Sequence, residues 1–282
     1  MTATALDAGL CLLLVSAAAL TVVGARDPPV PEGRADAAAE TLSVTTANVS
    51  YTLQPGSGDT ASSSAASGEL DRVAHGTLAE LLARAAFRSV RIDGESLTNA
   101  SGGFRRAVHR AVLNSLPART RVDARWEPYP GSHVHGGVAV GPAPPGDRAV
   151  DAARLTVPVR VQPSAAGGTT TDTVGATDRE DRLAGFLVRA LFPPEQLRFA
   201  LQDDSPLPGL VEHRYRRAGR LYGIDTLDAL RAGGPAAAND RLRPAVADRI
   251  HADRREGSSD GRSATSIERS RRVVIVVRTW AP

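Results

Sequence analysis

Close to its end the chain runs RRVVIVVRTW, from Arg271 to Trp280, the strongest β signal it contains. Val273 to Val277 is an unbroken β-branched run with arginine on both sides. Such side chains lose rotamer freedom in a helix and pack well on a pleated surface. With no polar residue at alternate positions, the run suits a central strand buried on both faces. The chain must therefore build a sheet around this segment, and a strand inside a sheet also holds the final residues in place.

The rest of the chain reads as a mixed α+β domain over residues 41–282. Thr41 to Leu53 alternates Leu42 and Val44 with polar residues and fits a strand. Gly56 to Gly68, GSGDTASSSAASG, is a low-complexity loop. Leu70, Val73, Leu78, Leu81, Leu82 and Ala85 recur at helical spacing from Glu69 onward. Val90 to Ile92 reads as a short extended piece before an Asp93-Gly94 turn. A helix is expected over Gly103 to Leu116, stopped by Pro117, and a strand over Arg121 to Tyr129. Pro130 to Gly146 reads as a Gly/Pro loop. Ala153 to Val161 reads as a strand whose Pro158 demands an edge or a bulge. A second small-residue loop lies near 164–176. Helices follow over Arg179 to Phe192, Glu195 to Leu201, Gly209 to Tyr222, Asp225 to Ala232 and Ala236 to Arg255, the last interrupted near Pro244. The sum is about four strands and four or five helices, without the βαβ alternation of a doubly wound nucleotide fold.

At the other end, Ala8 to Gly24 carries no charge and is bounded by Asp7 and Arg26. A run of about twenty apolar residues matches a bilayer core of about 30 Å. Residues 1–26 are thus expected to be a transmembrane anchor, and 27–40, rich in Pro and Ala, a juxtamembrane spacer. A cleaved signal with Val23-Gly24-Ala25 as its processing site lacks the basic n-region such signals carry. A lipoprotein signal at Cys11 lacks the small residue before the cysteine. Arg26 and Arg34 favour the large domain inside the cell by the positive-inside rule. The soft tail and the sequons at Asn48 and Asn99 favour it outside. The expectation is a single-pass protein of the cell membrane, its domain extracytoplasmic. Asp7 either favours the helix dipole from water or, as in pilin-like proteins, pairs with a neighbouring subunit's terminal amine.

Composition closes several routes. The sequence has no lysine, so Schiff-base, Walker-A and Ser-Lys chemistry are excluded. Its one cysteine, Cys11, lies in the apolar run, which leaves the domain without an internal disulfide or a thiolate metal site. The net charge of +3 is spread among interspersed Arg, Asp and Glu.

Four constellations invite chemistry. His133 and His135, two apart, would share one face of a strand and could meet one metal, but a third ligand is missing. Gly94-Glu95-Ser96-Leu97-Thr98 approaches a serine elbow but lacks its last glycine. Asp203-Asp204 reads as a helix-ending turn rather than a catalytic pair. Arg214 to Arg220, RYRRAGR, with Tyr215 and Tyr222, has the composition of a nucleic-acid contact, but the arginines beyond it are offset by acids. His75, His109, His213 and His251 fall in expected helices as surface residues. The expectation is therefore no catalytic, cofactor-binding or metal-binding residue, no cofactor, and no nucleic acid.

Leu6-Asp7-Ala8 leading into Cys11-Leu12-Leu13-Leu14-Val15-Ser16, with the closing Val273 to Trp280 and Ala281-Pro282, resembles a family of uncharacterised haloarchaeal single-pass membrane proteins encoded near type IV pilus and secretion components. The resemblance covers nearly the whole chain. It implies a non-enzymatic part of a surface or secretion assembly, with the bilayer and other assembly proteins as partners. The alternative is an anchored hydrolase or ligand-binding domain without a recognisable motif.

Overall fold

The computed structural model describes residues 33–53, 70–98, 100–159, 176–203, 206–256 and 267–281. The expected architecture is corrected. The protein is mixed α+β, with eight strands in two sheets among the described residues, twice the number expected. Among the described residues no helix is long and apolar enough to cross a membrane. The run Ala8–Gly24, the sequon residue Asn99 and most of both small-residue loops lie outside the described residues.

Helix α1 (Arg34–Val44) opens the described chain and takes Leu42 and Val44 from the expected strand. Ala35, Ala38, Ala39 and Leu42 recur at helical spacing and are all buried, and that periodicity outweighs the local alternation. Strands β1 (Thr46–Thr52) and β2 (Asp71–Thr77) form an antiparallel pair, so the helix expected from Glu69 begins only after Thr77. There α2 (Leu78–Arg88) starts on a capping box. The Thr77 hydroxyl accepts from Glu80 N–H at 3.2 Å, and the Glu80 carboxylate accepts from Thr77 N–H at 3.1 Å.

Strands β3 (Arg91–Ile92) and β4 (Glu95–Ser96) make a hairpin. Its turn residues Asp93 and Gly94 have φ of 50° and 78°, the left-handed pair that matches strand twist. Helix α3 (Gly102–Ser115) and strand β5 (Thr120–Trp126) follow as expected. Strand β6 (Val134–Val140) occupies the expected Gly/Pro loop, and β7 (Val150–Pro158) precedes the helices. These are α4 (Ala176–Leu191), α5 (Pro194–Leu201), α6 (Leu207–Tyr222), α7 (Leu227–Glu256) and the short α8 (Ile267–Ser270). The break in α7 falls at Gly234 (φ 72°, ψ −165°), not at Pro244. Glycine reaches that conformation at little cost, and Pro235 then opens the next helical stretch where its missing N–H matters least.

Strand β8 (Arg272–Trp280) completes a six-stranded antiparallel sheet in the order β4-β3-β6-β5-β8-β7. It is central, and β7 with Pro158 is the edge. But β8 is buried on one face only. Val273, Ile275 and Val277 are fully buried, while Val274 and Val276 are half-buried. Helices α1 and α2 pack on the inner face, and α4 to α7 form a helical layer joined to the sheet through α8. Leu78, Leu81 and Leu82 of α2 are sealed, each contributing about 1.5–3 kcal/mol of burial. Contact is closest at Gly136, where a Cβ would stand 2.3 Å from the Ala86 carbonyl of α2.

Candidate functional site

Two features stand out: a sealed polar cluster beside the β3–β4 hairpin and an open, arginine-rich outer face of the sheet.

The cluster forms where the turn before β6 meets α7. One Asp253 oxygen, Oδ2, accepts from His133 N–H at 3.0 Å, from the Tyr129 hydroxyl at 2.7 Å and from His133 Nδ1 at 2.6 Å. The other, Oδ1, accepts from Arg249 Nε at 3.1 Å, and Arg249 also donates to Asp93 at 2.7 Å. On the far side of the ring, His133 Nε2 accepts from the Tyr222 hydroxyl at 3.0 Å. The side chains of His133 and Asp253 are 2 % and 7 % exposed. Burial holds the imidazole below its usual pKa, so His133 is neutral and donates from Nδ1. Burial alone would raise the Asp253 carboxyl. The hydrogen bonds from His133 N–H, Tyr129 and the imidazole overcome it and hold the carboxyl below the usual range. Burial pushes both Tyr129 and Tyr222 well above the phenol range, so both remain hydroxyl donors.

An Asp-His-hydroxyl line has the order of an acyl-transfer triad. Here, however, the hydroxyl is a phenol held protonated, and the acid and base are closed to solvent. The arrangement ties the β6 turn to α7 rather than presenting a nucleophile.

Other candidates from the sequence are scattered. His133 points into the cluster, whereas His135 lies on the outer face of β6, so the pair does not converge on one metal. Among the described residues no group of three His, Cys, Asp or Glu side chains gathers. Ser96 sits in β4 with its hydroxyl donating to the Thr98 carbonyl at 3.0 Å, a hairpin rather than an elbow. Asp203 follows the end of α5, and Asp204 lies outside the described residues.

Arg214 to Arg220 does not form one surface. Arg214 lies over the Phe192 ring at 5.2 Å, where burial lowers its pKa to about 10. Tyr215 is fully buried and donates to Asn239 at 2.8 Å. Arg217 clamps Glu95 at 2.7 Å. His75 is in strand β2, not a helix, beside Asn48 at 2.9 Å. His251 and Arg254 of α7 meet the buried Glu180 of α4 at 3.0 and 2.9 Å.

The outer face of the sheet is built by strict alternation. In register, Gly137, Arg125, Val274 and Thr156 form one row across β6, β5, β8 and β7. Ala139, Asp123, Val276 and Arg154 form the next, and Arg121, Arg278 and Ala152 the third. Small and branched apolar side chains thus lie along the middle. Around them stand Arg121, Arg125, Arg154, Arg269, Arg272 and Arg278, six arginines against Asp123, Glu127 and Glu268. Asp123 is shared by Arg121 at 2.9 Å and Arg278 at 2.7 Å, and Arg125 reaches Glu127 at 3.2 Å. The Arg154 side chain makes no hydrogen bond or ion pair among the described residues. The face encloses a shallow concavity of about 1470 Å³. A second one, of about 680 Å³, adjoins it at Gly137 to Ala139 and is bounded by Arg105, Arg106, His109 and Arg110 of α3.

The molecule is thus an antiparallel-sheet domain of the α+β class, clad by helices on one face and basic on the other. The chain belongs to a family of unknown function, DUF7284, whose model matches residues 6–280. No curated protein and no solved structure matches it.

Proposed function

We propose that this domain is a non-enzymatic docking module of a protein assembly, and that the outer face of its six-stranded sheet receives an acidic surface of a protein partner. The observation that carries the reading is the composition of that face: Val274 and Val276, half-buried, at its centre, ringed by six arginines and three acids. An apolar centre with a charged rim is the anatomy of a protein interface. The surplus of arginine selects an acidic counterpart and speeds encounter. Nucleic acid fits less well, since the rows across the face hold Gly, Ala, Val and Thr and no aromatic ring on which a base could stack. A hydrolase reading has little support, because the Asp253-His133-Tyr222 line is closed to substrate. The resemblance to haloarchaeal chains encoded near type IV pilus and secretion components suggests the class of partner: a neighbouring subunit of such an assembly.

Polyglutamate and an oligothymidylate of equal charge serve as probes. Polyglutamate is expected to bind more tightly and to weaken as salt rises. Jointly replacing Arg125→Ser, Arg154→Ser and Arg272→Ser should lower its affinity about tenfold, equivalent to about 1.4 kcal/mol, without changing the thermal midpoint. Tighter binding of the oligothymidylate, or unchanged polyglutamate affinity in the triple variant, would overturn the proposal.

A further inference from the structure

Strand β3 covers only the first two residues of β6: Ile92 pairs with Val134 and Arg91 with His135. Among the described residues, β6 is paired from Gly136 to Val140 on its β5 side alone. The direction of the vacant edge follows from one bond. Asp93 N–H donates to the His133 carbonyl at 3.0 Å, so the His133 carbonyl points towards the β3 side. Backbone groups alternate along an antiparallel strand with period two. Those of Gly137 and Ala139 therefore also point to that side, beyond the reach of β3. An unpaired edge is a template for another strand.

Helix α3 stands across this edge. Its Arg105, Arg106 and Arg110 bound a groove of about 680 Å³ with Gly137, Val138 and Ala139 on the opposite wall. Among the described residues no side chain of these three arginines makes a hydrogen bond or ion pair, and no carboxylate lines the groove. Backbone donors and acceptors on one wall and unneutralised cations on the other match a chain that is extended and acidic.

We propose that an extended acidic segment of the partner protein adds to the β6 edge as a further strand, its main chain bonding Gly137 and Ala139 and its carboxylates meeting Arg105, Arg106 and Arg110. This mode of recognition draws affinity from the backbone and selectivity from alternate side chains. It rests on the docking reading and specifies how the partner engages.

The probe is a short synthetic peptide alternating glutamate with valine, together with the same peptide N-methylated at alternate amides. Binding of the first should slow hydrogen exchange at the Gly137 and Ala139 amides. The N-methylated peptide, which cannot extend a sheet, should bind at least about tenfold more weakly. Gly137→Pro removes an edge N–H without touching the β5 ladder and should weaken binding to the same degree. So should Arg105→Ala, Arg106→Ala and Arg110→Ala made together, which leave the edge backbone intact. Equal binding of both peptides, or unchanged exchange at the two amides, would overturn strand addition. If the Arg125, Arg154 and Arg272 substitutions still weaken polyglutamate in that case, the docking face stands and only the edge mode falls. If they do not, both fall. Protection of the same amides in a dimer without peptide would assign the edge to a second copy of the chain and likewise overturn the proposal.

Discussion

Replacing Asp253→Ala tests the reading of the buried cluster as a clamp between sheet and helical layer. Asp253 Oδ2 is the acceptor for His133 N–H, His133 Nδ1–H and the Tyr129 hydroxyl, at 3.0, 2.6 and 2.7 Å. With alanine there, all three lose that acceptor in a site where the His133 side chain is 2 % exposed. A buried donor left unsatisfied costs about 1–3 kcal/mol. Water entering the space of the lost carboxylate recovers part of this, and no charge is stranded in the interior, since His133 is neutral and the half-exposed Arg249 keeps Asp93. The expected loss is therefore about 4 kcal/mol, a large share of the stability of an ordinary domain. Asp253→Asn keeps an acceptor oxygen but forfeits the charge, and should cost about 2 kcal/mol. Equilibrium urea unfolding followed by circular dichroism measures both. With a slope of about 2 kcal/mol per molar, the alanine midpoint should fall by about 2 M and the asparagine midpoint by about 1 M, at unchanged slope. An alanine variant within about 1 kcal/mol of the parent, or asparagine as damaging as alanine, would refute the account.

The same cluster predicts acid sensitivity in two steps. The folded pKa of His133 lies below its ordinary value of 6.5, so below that pH the unfolded chain takes up the proton first. Stability should be flat above about 6.5, fall as pH drops towards the folded pKa, and lose this step in His133→Gln. The Asp253 carboxyl is held below 3.8, so its contribution is present above that pH and vanishes as pH falls through the folded value. Urea midpoints across the acid range would show both steps, and an unchanged profile in His133→Gln would contradict the first. The neighbouring glycines of β6 should behave oppositely. Gly136→Ala drives a Cβ to 2.3 Å from the Ala86 carbonyl and should cost about 1–3 kcal/mol. Gly137→Ala meets nothing closer than 3.4 Å and should stay within about 0.5 kcal/mol of the parent. Thermal unfolding of the two separates them.

What the sequence disclosed depended on whether the signal was local. The Asp93-Gly94 turn, the helix stopped by Pro117 and the edge status implied by Pro158 are short-range facts, and they can be read in a few residues; the Thr77–Glu80 capping box is equally local, but the apolar spacing from Glu69 overrides it. Strand β6 was missed because Gly136 hides its alternation. Val134, Val138 and Val140 keep the inward parity, but the residue between them is glycine, since α2 leaves no room for a Cβ. Helix α1 takes residues 34–40 from the expected spacer and 41–44 from the expected strand, whose remainder forms β1; Leu42 and Val44 alternate, while the helical evidence lies in alanines, which carry little hydrophobic contrast. The polar cluster had no local signature. Asp253 lies 120 residues from His133 and reads in sequence as one more acid offsetting helical arginines. The convergence of three unpaired arginines of α3 on a strand edge was equally illegible, because it depends on where β3 stops.

The most instructive disagreement concerns Val273 to Val277. A strand with one wet face is selected for alternation, because apolar side chains on the solvent side gain nothing from folding and template aggregation. The run breaks that rule at Val274 and Val276, whose side chains stand half-buried on the outer face. Most neighbours on that face do not share the breach: Arg125, Arg154 and Arg278 occupy the corresponding positions of the same rows or the next, and a further valine, the exposed Val150, lies at the end of edge strand β7. A general drift towards apolar residues would have affected those positions as well. The docking proposal would account for two valines in the middle of a basic face: if a partner covers that face, sequence pattern and isolated fold are expected to disagree there, because the pattern is selected in the partner's presence.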